Sequence, residues 1–320
     1  MKITVIGTGY VGLVSGACFS EFGFEVTCVD KDEKKIDALN KGNPLIYEPG
    51  LESLVKKNMK TGRLKFQNSF TDNIKKSQII LIAVGTPTQR NGHANLEHVF
   101  DAAKQVAPLL SGYTVVVNKS TVPVGTAKRV FSILKKNQRN ADFDVASNPE
   151  FLREGSAIED FMRPNRVVIG VDSLKAKRIM KELYRPLFLI ETPIIFTSPQ
   201  TAELIKYASN AFLATKITFI NQISDLCEKS GADVHDVAKS MGLDKRIGDK
   251  FLHPGPGFGG SCFPKDNLEL AATARALGSP IGLIEEVISF NKSRKKKMAR
   301  KIILACGNNA KGKKIAILGL

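Results

Sequence analysis

The stretch KITVIGTGYVG, residues 2–12, leaves this chain few folds to choose from. An apolar run of strand length passes directly into Gly7, Gly9 and Gly12, spaced G-x-G-x-x-G, and an apolar helical pattern follows. That order predicts a strand, a tight turn and a helix whose N-terminus faces a pyrophosphate. Alone, the glycine spacing also fits a purely structural turn. A second apolar run, EVTCVD, ends in Asp30 eighteen residues beyond Gly12, where a ribose-binding carboxylate belongs. Asp30 would repel a 2′-phosphate, so the pattern favours NAD over NADP, with Lys31, Lys34 and Lys35 softening the preference. Tyr10 and Val11 inside the fingerprint and Lys35 just past Asp30 join Gly7, Gly9, Gly12 and Asp30 as candidate cofactor contacts.

Further apolar runs recur at 79–84, 114–120, 143–147 and 166–171, with helical patterns such as LEHVFDAAKQVAPLL between them. Continuous apolar strands alternating with helices predict a parallel, doubly wound sheet covered on both faces. Loops 84–88 (VGTPT, with Thr86) and 119–123 (KSTVP, with Thr121) follow strands and should line the carboxyl edge, where ligands of such sheets bind. From residue 199 the period becomes helical and long. Ser198 or Thr201 is the expected cap, and Glu203 is expected among the acids of the first turn. The helical region runs to 307, broken by a glycine-rich loop at 253–260. KIAILGL, 314–320, reads as the opening strand of a further α/β domain, which predicts a fragment of a longer protein.

Composition narrows the function classes. The apolar N-terminus could pass for a signal peptide, but its spaced glycines favour a folded element. No other segment reaches the roughly 18 apolar residues of a membrane span. The five cysteines are scattered, without CxxC or His-rich spacing, which fits reduced thiols in a cytoplasm and argues against a disulfide framework or a metal site. Cys18, Cys28, Cys227 and Cys306 lie in apolar patterns and read as core residues. The net charge of +16 raises nucleic acid as a partner, yet residues 291–320 hold ten Lys/Arg and no acid. That stretch has no interleaved aromatics for base stacking and reads as a solvated helix face.

Three segments carry reactive chemistry. NPEFLREG, 148–155, follows a strand and should bring Glu150 and Glu154 to the ligand edge. In AELIKYASNAF, Lys206 and Asn210 stand four apart on one helical face, as a half-buried pair. In FGGSCFPKD, Cys262 and Asp266 are also four apart, and Pro264 suits the first turn of a helix. A thiol at a helix N-terminus beside Lys265 is a competent nucleophile. A nicotinamide site with such a thiol can carry an aldehyde to an acid through a thiohemiacetal and a thioester, given a base for water and a cation for the oxyanion.

GTGYVGL, STVPVGT, NPEFLREG, ELIKYASNAFLA and GFGGSCFPKD occur in that order along the chain. Together they resemble the UDP-glucose/GDP-mannose dehydrogenase family over residues 1 to about 307. The resemblance implies a Rossmann-like NAD-binding domain over 1–198, an all-helical central and dimerisation domain over 199–307, and at 308–320 the first strand of a C-terminal UDP-binding domain. It implies NAD-dependent oxidation of the C6 alcohol of a nucleotide sugar to the acid, UDP-glucose rather than GDP-mannose or UDP-N-acetylmannosamine, by a cytoplasmic homodimer. By resemblance, Cys262 is the thioester nucleophile, Lys206 and Asp266 assist alcohol oxidation and hold the oxyanion, Glu150 is the hydrolytic base, and Thr121 orients water. Glu154, Asn210, Phe151 and Leu152 resemble substrate contacts, as does the loop carrying Phe251, Leu252, Gly257, Phe258 and Gly259. Arg246 resembles an arginine that reaches the substrate of the partner subunit. The competing readings are a basic NAD-binding regulatory module and a simple alcohol or hydroxyacid dehydrogenase, neither of which needs the thiol.

Overall fold

The computed structural model describes residues 1–70 and 72–318. By contact density these fall into two units, one of residues 1–90 and 94–206, the other of 91–93 and 207–320.

The first unit is built on β1 (Lys2–Ile6), β2 (Glu25–Val29), β3 (Leu64–Gln67), β4 (Ile79–Ile82), β5 (Thr114–Asn118), β6 (Phe143–Ser147), β7 (Val167–Gly170) and β8 (Ile194–Thr197). They form one sheet in the order β3-β2-β1-β4-β5-β6-β7-β8. Every pairing is parallel except β6 with β7, which is antiparallel. Helices α1 (Tyr10–Glu21), α2 (Glu33–Asn40), α3 (Leu51–Lys60), α4 (Asp72–Lys75), α5 (Glu97–Val106), α6 (Thr126–Asn137), α7 (Ala157–Met162) and α8 (Leu174–Leu183) connect the strands. β4 and β5 are buried at every position, as strands covered on both faces must be. One apolar cluster holds α1, α3, α7 and α8, centred on the fully buried Phe19, whose ring meets Phe161 edge-on at 4.9 Å. The other holds α5 and α6. The strand order reverses at β1 and β4, so a crevice opens beyond their carboxyl ends.

Helix α9 (Pro199–Ser230) begins in the first unit and continues into the second. Ser198 caps it, its Oγ accepting from the Thr201 amide at 3.2 Å. The second unit adds α10 (Val234–Leu243), α11 (Phe263–Ala276) and α12 (Gly282–Ala305). Tyr207 and Ala211 of α9 pack there with Leu270 and Ile284, while Ala214, Phe258 and Val287 form a smaller core.

One expectation needs correction: Glu203 is not an acid of the first turn of α9, but lies beyond it and is buried. Among the described residues, 314–318 pair with no other strand, and Ile317 and Leu318 are exposed. A single strand has no hydrogen-bonding neighbour to hold it extended.

Candidate active site

The fingerprint glycines have separate physical tasks. Gly7 adopts φ +97°, and a Cβ there would lie 2.6 Å from the Ala83 carbonyl oxygen. A Cβ on Gly12 would lie 2.0 Å from the Gly7 carbonyl oxygen, so α1 can approach β1 only without one. Gly9, the N-cap of α1, has no atom within 4 Å of its Cβ position. Asp30 accepts from the Thr8 amide and hydroxyl, both at 2.8 Å, and from the Asp32 amide at 3.1 Å. Partial burial raises its proton affinity, but these bonds and Lys35 outweigh that and hold the carboxyl below the usual range.

A cavity of about 690 Å³ opens at the β1/β4 crevice, lined among others by Gly7, Gly9, Asp30, Lys35 and Gly85. That volume suits a dinucleotide. The open Gly9 backbone, the helix N-terminus and the ionised Asp30 fit a pyrophosphate and a ribose diol, so these residues would hold NAD. Tyr10, Val11, Gly12, Thr86, Thr121 and Glu154 lie off its wall. Instead, the Tyr10 hydroxyl donates to Glu48, which also accepts from the Gly155 and Ala157 amides at 2.8 Å. The Thr86 hydroxyl donates to the Thr121 carbonyl at 3.1 Å, tying together the loops after β4 and β5. Asn68, Ser69 and Phe70 line the cavity without having been anticipated. They follow β3, LKFQ, which lacks a continuous apolar run.

Beyond β6 lies a buried acid–base group within the same unit. Glu150 and Lys206 are both buried, with Nζ to Oε1 3.3 Å. The Leu152 amide donates to the other Glu150 oxygen, and Lys206 Nζ stands 5.2 Å from the Phe151 ring centroid. Thr121, Ser147 and Lys206 line one small void with Glu203. Glu203 accepts from the Gly125 amide at 2.6 Å, the Ala127 amide at 2.8 Å and Ser147 Oγ at 3.0 Å. It therefore anchors the N-terminus of α6, and with it the loop carrying Thr121, to the helix carrying Lys206. Glu154 is exposed, in contrast to Glu150. The buried Lys119 was also not anticipated.

The second unit carries the thiol. Cys262 is the N-cap of α11, half-buried, with Pro264 in the first turn. Its Sγ is 3.6 Å from Ser261 Oγ. Asp266, fully buried one turn on, accepts from Asn210 Nδ2 at 2.6 Å and from Lys265 Nζ at 2.9 Å. The other cysteines contrast with this one. Cys18, Cys28 and Cys227 are buried, Cys306 is half-buried, and burial pushes the thiols of Cys18 and Cys28 up, Cys28 to about 12.

The loop before Cys262 is clamped. Asn291 pairs with the Phe258 backbone both ways, at 2.8 and 3.0 Å. The buried Arg294 donates to the Gly255 carbonyl at 3.0 Å and to Asp225 at 2.5 Å. Gly257 holds φ +120° directly against the Asn291 amide, where a Cβ would come within 2.5 Å of Oδ1. Of the expected substrate contacts here, Leu252 and Phe258 bury their side chains, so only their backbone is available, whereas Phe251 and the glycines 257 and 259 are not core residues. Arg246 is exposed and forms a bidentate pair with Asp244.

Residues 1–188 match the NAD binding domain of the UDP-glucose/GDP-mannose dehydrogenase family, and residues 200–293 match its central domain. A UDP-glucose 6-dehydrogenase of Rhizobium meliloti is 57% identical over 323 residues, spanning all of this chain and 74% of that protein. One of Bacillus subtilis is 54% identical over 320 residues, spanning all of this chain and 68% of that protein. The structure of a UDP-glucose dehydrogenase from Pyrobaculum islandicum superposes with a TM-score of 0.92 at 38% identity, covering 96% of this chain and 71% of that one. The chain belongs to the UDP-glucose/GDP-mannose dehydrogenase family.

Proposed function

We propose that the protein oxidises the C6 alcohol of UDP-glucose to UDP-glucuronate, in two hydride transfers to NAD, through a thioester on Cys262. NAD supplies the hydride acceptor; the chain's own residues do the rest. In the first step Lys206 and Asp266 assist loss of the alcohol proton to solvent, and C6 gives up its first hydride to become an aldehyde. The Cys262 thiolate adds to that carbonyl, and the Lys206 ammonium holds the resulting oxyanion of the thiohemiacetal. Loss of the second hydride gives the thioester. Glu150 takes a proton from water, the water oxygen attacks the thioester carbonyl, and the thiolate leaves. The observation that carries this reading is the placement of Cys262: a half-buried thiol at a helix N-terminus, one turn from a buried carboxylate that Asn210 and Lys265 hold in place. A hydroxyacid dehydrogenase has no use for it.

A panel of sugar nucleotides tests the reading. Two NADH for each UDP-glucose, and less activity on GDP-mannose and UDP-N-acetylmannosamine, support it. One NADH with release of an aldehyde overturns it.

Exposed apolar residues on α9 support the homodimer. Phe212, Phe219 and Leu226 recur every seventh residue and are 65%, 44% and 60% exposed. A seven-residue apolar stripe is the pattern that pairs one helix with another. The partner is a second copy of this chain, packed along that stripe, and Arg246 is then free to serve the neighbouring subunit.

A further inference from the structure

Lys119 directly follows β5 and is 4% exposed. Its ammonium donates to Asn148 Oδ1 at 3.2 Å and to the Tyr184 hydroxyl at 3.3 Å. Asn148 is itself fixed by donating to the Val168 carbonyl at 2.8 Å. The Phe161 and Tyr184 rings flank the amine at about 6 Å. Among the described residues no carboxylate lies within ion-pair distance of it. A buried cation held only by neutral oxygens is costly, and a hydrocarbon side chain of the same length would fold more easily. Keeping it calls for a reason outside stability.

The reason lies across the cavity. Lys119 and Glu150 line the same space, about 50 Å³, with Phe151 between other walls. The titratable groups around Lys119 are Glu150 on the loop after β6, Lys206 on α9, Tyr184 at the end of α8, Asp160 on α7 and Arg166 before β7. Asp160 is already engaged by Arg153 at 2.6 Å, and Arg166 stacks on Phe151 at 3.6 Å. That leaves Glu150 as the acid Lys119 can influence. Among the described residues Lys206 is the one cation paired with Glu150, and the proposed mechanism calls that cation to the substrate oxyanion. Once it turns away, Glu150 is a buried carboxylate left with the Leu152 amide and no cation, and burial of that kind favours the protonated form. A protonated Glu150 cannot activate water.

We infer that Lys119 is a positioning residue for Glu150, a fixed buried counter-charge that keeps it in the carboxylate form while Lys206 serves the substrate. Two lysines thus divide two tasks that one cation cannot perform at once. The titration of Lys119 agrees: burial lowers it to about 8, with Glu150 pulling it up and Lys206 pushing it down. The inference rests on Glu150 as the hydrolytic base, and the experiment separates the two.

The chain labelled with ¹³C at the lysine ε-carbons should show a resonance titrating near pH 8, assigned by its loss in Lys119→Met. Coupling between two charges is reciprocal, so Glu150→Gln should lower that midpoint by about one unit and Lys206→Met should raise it. In single turnovers, Lys119→Met should move the acid limb of thioester hydrolysis up by about one pH unit, a tenfold slowing at its foot, with hydride transfer less affected. Lys119→Arg, which keeps the charge, should restore the limb. A Lys119 midpoint indifferent to Glu150→Gln overturns the inference, whatever the kinetics. If the midpoint moves and the hydrolysis limb does not, the coupling stands and Glu150 is not the base.

Discussion

Gly9→Ala and Gly12→Ala should fail in opposite ways, although both remove one glycine of the same fingerprint. The added methyl at Gly12 would sit 2.0 Å from the Gly7 carbonyl oxygen and 3.2 Å from the Ala83 methyl. Ordinary contact is at least 3.4 Å or so, so α1 would have to withdraw from the β1 turn by more than 1 Å. Neither neighbour is a flexible side-chain end that can yield. Overpacking of this kind costs about 1–3 kcal/mol, and the upper end applies where the obstacle is backbone. At Gly9 the methyl meets nothing within 4 Å and the backbone φ is −68°. Replacing Gly by Ala at an N-cap costs about 0.5–1 kcal/mol, largely offset by about 0.4–1 kcal/mol gained from stiffening the unfolded chain. The methyl would occupy the surface that a pyrophosphate has to reach, a clash of about 1–3 kcal/mol in the bound state, or roughly a 5- to 150-fold loss of affinity. Thermal unfolding without ligand and calorimetric titration with NAD check the pair. Gly9→Ala should unfold like the parent and bind NAD poorly; Gly12→Ala should unfold earlier even without NAD. A Gly9→Ala protein that binds NAD normally would refute the assignment of the pyrophosphate to this turn.

Asp30→Asn should narrow the preference for NAD over NADP and lower stability at neutral pH by less than about 1 kcal/mol, since the carboxyl is partly solvated. Because the folded protein holds Asp30 below its ordinary range, that contribution is present above about pH 4 and fades as pH falls, so parent and variant unfolding curves should converge in acid. Lys119→Met should be more stable than the parent at pH 7, by on the order of 1–3 kcal/mol in denaturant titrations. Since its folded titration, near 8, lies below its ordinary 10.5, the unfolded chain binds the extra proton between those values, and the advantage should shrink as pH rises through that window. Arg294→Met should lose about 1–3 kcal/mol, by leaving the Gly255 and Asn221 carbonyls without their donor while Lys297 still pairs with Asp225, and should raise KM for UDP-glucose more than it changes NAD binding. Phe212→Glu with Phe219→Glu should give a monomer by light scattering if α9 carries the dimer.

The parts legible in the sequence are those where local chemistry dictates structure. The β1–turn–α1 unit could be read because its glycines answer to backbone contacts within a few residues. The placement of Asp30 followed from the length of α1. Helical spacing put Lys206 and Asn210 on one face as a half-buried pair; both are buried instead, and their partners, Glu150 for Lys206 and Asp266 for Asn210, come from elsewhere in the chain. Long-range geometry was hidden. Glu203 sits where a first-turn acid might, yet its partners Gly125, Ala127 and Ser147 are 56 to 78 residues away. Lys119 gave one signal, a lysine placed directly after the apolar run VVV and Asn118, but its partners Asn148 and Tyr184 come from other elements. Strand β3, LKFQ, mixes polar with apolar residues and so lacks the continuous apolar run that marks the equally short β4, IILI. The antiparallel pairing of β6 with β7 rests on one matched pair, Ser147 with Gly170, and no local pattern encodes it.

The central claim is the thioester on Cys262, and intact-protein mass spectrometry of Glu150→Gln tests it most directly. That variant keeps the thiol and loses the base, so with UDP-glucose and NAD it should accumulate one covalent sugar-nucleotide adduct per chain, released slowly by hydroxylamine. The adduct should vanish when Cys262→Ser is added, while NAD binding persists. Glu150→Gln protein that forms NADH without any adduct, or Cys262→Ser protein that makes UDP-glucuronate at an undiminished steady rate, would contradict the covalent account.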